Sequence, residues 1–202
     1  MMTSEYRVPV PGRFDGSAAF TDLETRKVPC DYLMANGERL RHRWSVLMAG
    51  VAAGGEIRLF DAADSEMTLL AALSEAIDDR EVVYAGTREF DEMILRGRFT
   101  NARRAHAPAP FFPAMPRANE LAWYNCHKAA KALNEERGAD VPSREVPVAY
   151  ADGRYELVVI HLLRDVAELI LAAGAPDRVC RDWCRLILAD YVAAWDAVFG
   201  GE

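Results

Sequence analysis

The stretch that most constrains this chain is ELVVIHLLRDVAELILAA at 156–173. It contains no helix breaker, and Gly174 and Pro176 close it, so it predicts one long helix. Apolar residues lie on nearly every side, so the helix is expected to be largely buried. Helical geometry nevertheless stacks His161, Asp165 and Glu168, at i, i+4 and i+7, into a polar stripe. A charge on such a helix must find a partner or a metal ion, because an unpaired buried charge is strongly destabilising. For Asp165 the ordinary partners are a buried hydrogen bond with His161 or a surface pair with Arg164.

The rest of the pattern supplies a sheet for that helix to cover. Residues 1–17 read as a lead-in. The run AAFTDL at 18–23 is short, apolar and ends in acid, and 40–51 and 56–60 read as strands around the Gly54-Gly55 turn. Residues 65–77 have helical apolar spacing, capped by Ser65 or Asp64, and 81–85 read as another strand. A helix is expected to begin at 88 and run into a basic stretch to 104. Four prolines make 105–118 a loop. Residues 119–136 read as a helix capped by Asn119, and 139–154 as irregular or a hairpin around Asp152-Gly153, so 105–154 as a whole reads as a loop-rich insertion. Residues 177–199 read as one last amphipathic helix. Strands first, then alternating helix and strand, then helices, suit an α/β layer fold with a mixed sheet. At 202 residues, one domain is the default.

Composition narrows the class. Hydrophobic residues at 51% can fill one core. No apolar run reaches the roughly 18–20 residues that span a bilayer, and the N-terminus lacks a secretory pattern, so a cytoplasmic protein is expected. Cys180 and Cys184 share a helix face at i, i+4, which suits reduced core thiols better than zinc ligation. The net charge of −7 runs against nucleic-acid binding. Metal ions held by carboxylates would offset part of it.

Four acids then attract attention. Asp22 and Glu24 are two residues apart at the end of an apolar strand, so they point to one face. Two such carboxylates repel unless something positive lies between them, and a divalent cation is a natural partner. Asp91, in YAGTREFDEMIL, follows the strand at 81–85 and falls near a helix start, where the dipole favours negative charge. Asp165 is the fourth. Farther on come Arg96, Arg98, Arg103 and Arg104 in a stretch without acid from 96 to 106, a run able to grip phosphates or simply to form a solvated face. Trp123 and Tyr124 can stack on a base, although core packing explains them as well.

Together, DLET (22–25), YAGTREFD (84–91) and HLLRD (161–165) resemble, in order, the three motifs of the DEDD 3′–5′ exonucleases. The resemblance covers roughly residues 18–173. It implies a ribonuclease H-like mixed sheet flanked by helices, with a helical C-terminus. It also implies two divalent cations, Mg²⁺ or Mn²⁺, held by Asp22, Glu24, Asp91 and Asp165, and hydrolysis of single-stranded DNA or RNA from the 3′ end. His161 would then take the position of general base. The family places Tyr four residues, or His five residues, before the last Asp, whereas His161 is four before Asp165. One residue on a helix is a rotation of about 100°. A binding domain of the same fold that has lost hydrolysis is the alternative expectation. The aromatic C-terminal helix could also pack against a second copy.

Overall fold

The computed structural model describes residues 5–14, 18–27, 44–62, 65–77, 80–84, 94–95, 97–98, 123–125 and 127–200. Its centre is a six-stranded mixed sheet: β1 (Glu5–Pro9), β2 (Ala18–Lys27), β3 (Trp44–Ala53), β4 (Glu56–Asp61), β5 (Glu81–Tyr84) and β6 (Trp123–Asn125), in the spatial order β1-β4-β3-β2-β5-β6. Gly54 and Gly55 both have positive φ, at 62° and 90°, which makes the tight turn of the β3–β4 hairpin. β3 is antiparallel to both β2 and β4, while β5 and β6 continue parallel from β2. The stretch read as a lead-in contributes β1, which pairs antiparallel along β4.

The helices are α1 (Glu66–Ile77), α2 (His127–Leu133), α3 (Val146–Ala151), α4 (Tyr155–Ala172), α5 (Arg178–Ala189) and α6 (Tyr191–Phe199). They cover the sheet in two layers. On one face α1 places Leu69, Leu70, Leu73 and Ile77 against Ala49, Val51, Phe60 and Val82. On the other, α4 packs on Met48, Ala52, Ile57 and Leu59, with α5 and α6 outside it. β3 thus feeds one core with Ala49 and Val51 and the other with Met48 and Ala52, as strand alternation requires. Residues 158–164 and 166–170 of α4 are all buried, so the helix is enclosed on every side as its composition demands.

Three local expectations change. Residues 119–136 do not form one helix, because Trp123–Asn125 pair with β5 and the helix starts only at His127. The segment around Asp152-Gly153 is no hairpin: Pro147 stands in the first turn of α3, where a proline costs no hydrogen bond. The C-terminal helix is two helices. At Asp190 the backbone is extended, and its carboxylate accepts from Val192 N at 2.8 Å and Ala193 N at 3.3 Å, capping α6. Cys180 and Cys184 are buried and unbridged on α5, as expected of core thiols. Cys30 and Cys126 fall outside the described residues. No helix among the described residues is long and apolar enough to cross a membrane.

Candidate metal centre

β2 presents Phe20 to the α4 side and Ala19 and Leu23 to the α1 side. Alternation therefore turns Asp22 and Glu24 toward α4. β5 pairs with β2 only from Ala18 to Phe20, so the two acids follow the point where the parallel neighbour stops. Here, at the carboxyl end of β2, the strand that follows it, β3, pairs on one side, while its parallel neighbour β5 is followed by β6 on the other. In α/β sheets such a position tends to leave a crevice for a ligand. Opposite Glu24 the register slips: Glu24 faces Met48 and Thr25 faces Val46, which leaves Leu47 as the extra residue of a bulge.

Gly50, opposite Asp22, decides how close α4 can come. A Cβ there would lie 2.7 Å from Val166 Cγ2 and 3.1 Å from Leu162 Cγ. The bare backbone lets the Leu162/Val166 ridge settle on β3. His161 and Asp165, each one residue earlier on the helix, are thereby brought down beside Glu24.

His161 Nε2 is 3.4 Å from Glu24 Oε1 and 3.2 Å from Asp165 Oδ2. One donor atom from each of the three residues lies within 4.8 Å of the others, a spacing that one divalent cation can bridge. The other ring nitrogen, Nδ1, is 3.0 Å from Asp140 Oδ2 and 3.2 Å from Arg137 Nη2. A proton on Nδ1 satisfies Asp140, and the Arg137 Nη2 donor beside it has acceptors of its own in Asp140 Oδ2 and the His161 carbonyl, so the Nδ1–H form is preferred. Nε2 is buried and makes no hydrogen bond. The two carboxylate oxygens beside it are near enough to bond but stand off its axis.

Counter-charge comes from the segment between α2 and α3. Arg137 pairs with Asp165 through Oδ1, with Asp140, and with Glu168 at 3.3 Å. Arg164 is fully buried and turns away from Asp165. It donates to Leu188 O at the end of α5 and to Ala139 O at 2.8 Å, and approaches Asp140 at 3.4 Å. It thereby serves the Leu188 carbonyl, which the last turn of α5 leaves without a helical partner. Gly138 fits against the same helix end, where a Cβ would lie 2.1 Å from Ala189 O. These contacts fix the 137–141 segment beneath α4.

The electrostatics follow. Burial disfavours ionised Asp140, but the hydrogen bond and charge of His161 and the Arg137 guanidinium outweigh it and hold the acid down at about 2. Burial, joined by the charge of Asp165, pushes Glu168 up to about 7. Burial pulls His161 down, yet the carboxylates of Asp165 and Asp140 prevail and raise it above its ordinary value. The cluster therefore favours a positive species at His161, whether a proton or a cation facing the two carboxylates.

Of the acids expected from sequence, Glu24 and Asp165 converge with His161. Asp22 lies one step back on the same strand face, half-buried and outside that group of three. Asp91 lies outside the described residues, as do Arg96, Arg103 and Arg104. Arg98 forms a two-point ion pair with Glu66 at the start of α1, with Nε at 2.8 Å from Oε1. Of the two ordinary partners expected for Asp165, His161 stands beside it at 3.2 Å but hydrogen-bonds Asp140 instead, and Arg164 is buried against other acceptors. Arg137 and Asp140 were not foreseen. Their signal was indirect: two opposite charges on either side of Gly138-Ala139, upstream of a helix that needed counter-charge.

No protein-family model, curated protein or solved structure matches the chain. What stands is a mixed sheet flanked by helices with a buried acid–histidine cluster able to coordinate a divalent metal.

Proposed function

We propose that this chain is a metal-dependent phosphodiester hydrolase of ribonuclease H-like fold that removes nucleotides from the 3′ ends of single-stranded DNA or RNA. The observation that carries this reading is the meeting of Glu24, from a central strand, with Asp165, from a helix far along the chain, on either side of His161 Nε2. The strand order supports it as well, since Asp22 and Glu24 lie on the first strand of the β4-β3-β2-β5-β6 block, beside its reversed neighbour β3.

A bound divalent cation supplies charge to a phosphoryl oxygen and acidifies water. Glu24 and Asp165 provide the negative walls for it. Arg137 fixes Asp165 by Oδ1 and leaves Oδ2 toward the site. Asp22, with Asp91, is assigned to a second cation. Of the basic run, Arg98 is tied to Glu66, so phosphate contact falls to Arg96, Arg103 and Arg104.

One observation favours a second reading, a nucleic-acid-binding domain without hydrolysis. Arg137 already offsets Asp165, Asp140 and Glu168, as a cation would. The experiment is a digest of 5′-labelled single-stranded DNA and RNA with Mg²⁺ or Mn²⁺. Ladders growing from the 3′ end are expected, together with protection by a blocked 3′ end. Glu24→Gln and Asp165→Asn should slow the ladder by about 100-fold or more, at or beyond the upper end of what losing an outer partner alone costs. Absence of any ladder with either ion overturns hydrolysis. Cutting of 3′-blocked strands would make the protein an endonuclease.

A further inference from the structure

We infer that His161 is itself a ligand of the cation through Nε2, with its ring held by Asp140, and that the site therefore takes ions with affinity for imidazole nitrogen, such as Co²⁺ and Zn²⁺, ahead of Mg²⁺. This rests on the triad being a metal site, as proposed above, but not on the exonuclease reaction.

Three observations carry it. First, His161 is 3% exposed, and its Nε2 has no hydrogen bond although it lies between two carboxylate oxygens at 3.2 and 3.4 Å. A buried imidazole nitrogen left unsatisfied is costly, and a cation shared with the two nearby carboxylate oxygens would satisfy it.

Second, Nδ1 faces Asp140 at 3.0 Å. A carboxylate that takes the proton of one ring nitrogen fixes the tautomer and leaves the lone pair on the other, which is how metal-ligating histidines are commonly oriented. Asp140 is itself anchored by Arg137 and approached by Arg164. The histidine's partner is thus held on two sides.

Third, Arg137 engages a different oxygen of Asp165 from the one beside the ring. It engages Asp165 through Oδ1, while Oδ2 is the oxygen turned to Nε2. The donor atoms that meet here are one nitrogen and two carboxylate oxygens, a mixed set. Mg²⁺ prefers oxygen alone, and imidazole suits the later first-row ions. A nitrogen committed to the cation cannot also accept a proton from water. His161 would then not act as the general base that the motif resemblance implies.

The test uses the full chain, stripped with a chelator and titrated separately with Co²⁺, Zn²⁺ and Mg²⁺ by calorimetry, with visible absorption followed for Co²⁺. Co²⁺ and Zn²⁺ should each bind at least about tenfold more tightly than Mg²⁺, and bound Co²⁺ should show a visible spectrum distinct from the aqueous ion. His161→Gln should lower Co²⁺ affinity at least about tenfold and change that spectrum, while Mg²⁺ affinity stays within about threefold. Asp140→Asn should weaken Co²⁺ by about tenfold with His161 still bound. It keeps the side-chain shape and carries the test if His161→Gln does not fold. Equal affinities in the native protein, or a spectrum and preference unchanged in the variants, overturn the inference. Mg²⁺-dependent 3′ laddering alongside that negative result would leave the exonuclease reading intact. Co²⁺ bound through His161 without any laddering would do the reverse.

Discussion

α1 and α4 lie on opposite faces of one sheet, yet they are held there by different chemistry. α1 meets the sheet through Leu69, Leu70, Leu73 and Ile77, and its one prominent ion pair, Glu66 with Arg98, sits at its first turn. α4 carries His161, Arg164 and Glu168 into burial alongside its leucines and valines. Nothing about covering a sheet requires this, because an apolar face of similar volume is commonly as stable or more so. The polar network on the α4 face is a charge arrangement that needs a positive group at its centre, and the α1 face is the internal control for what packing alone achieves.

The largest effect is expected where that arrangement loses its guanidinium. Arg137→Ala leaves Asp140, Asp165 and Glu168 facing one another without their shared partner, and breaking a buried pair this way costs about 3–5 kcal/mol. Leu73→Ala on the α1 face should cost a similar amount, about 2–5 kcal/mol, through the cavity it opens. Divalent cations separate the two. Thermal melts should show millimolar Co²⁺ or Mn²⁺ recovering a good part of the loss in Arg137→Ala and none of the extra loss in Leu73→Ala. No response to either ion in the native protein or in either variant would mean that the α4 face is packed like the α1 face and holds no cation.

The same contrast explains what could be read in advance. α4 was legible because its breakers stand just beyond its end and its polar residues fall at helical spacing. The need of Asp165 for a positive partner was legible too. Its identity was not, because Arg137 arrives from a segment whose path depends on Gly138 fitting under Ala189 O, a long-range contact without local periodicity. The break at Asp190 was hidden for the opposite reason. Apolar spacing continues across it, and a single capping carboxylate interrupts the backbone while leaving the pattern intact. β6 is only three residues long, too short to display a period, so Trp123 and Tyr124 were absorbed into the helix that follows. At the centre itself, Glu24 and Asp165 were found by motif order, whereas Asp140 belongs to no motif and is identified only by its contact with His161 Nδ1.

A smaller effect tests how the α4 face reaches the acids. Gly50→Ala places a methyl 2.7 Å from Val166 Cγ2, and the helix must lift or the valine turn. Overpacking of this kind costs about 1–3 kcal/mol. If α4 lifts, His161 and Asp165 withdraw from Glu24, so the stabilisation by Co²⁺ should shrink more than the metal-free stability does. Gly55→Ala is the control. Its Cβ would meet nothing within 4 Å, and the loss there comes from the positive φ of the turn alone. It should leave the metal response unchanged.

The smallest effect separates the two faces by pH in the metal-free protein. Glu168 sits at about 7 in the fold against an ordinary 4.5, because burial and the charge of Asp165 disfavour its ionised form. The folded state therefore holds that proton more tightly than the unfolded chain. The associated stability is fully present below 4.5 and is lost as pH rises through 7. His161, raised above 6.5, contributes in the same direction, with stability present below 6.5 and lost as pH passes its raised value. Asp140, lowered from 3.8 to about 2, acts oppositely and only in acid, so a scan from pH 5 to 8 leaves it ionised throughout. Glu168→Gln mimics the protonated acid and removes one of the two losses. Its melting temperature should gain on the native protein by a few degrees between pH 5 and 8, while Leu73→Ala tracks the native curve at a constant offset. Parallel curves for Glu168→Gln and the native protein would show that Arg137, at 3.3 Å, already keeps the Glu168 carboxylate ionised at neutral pH. The α4 face would then hold its charges without any need for a further cation.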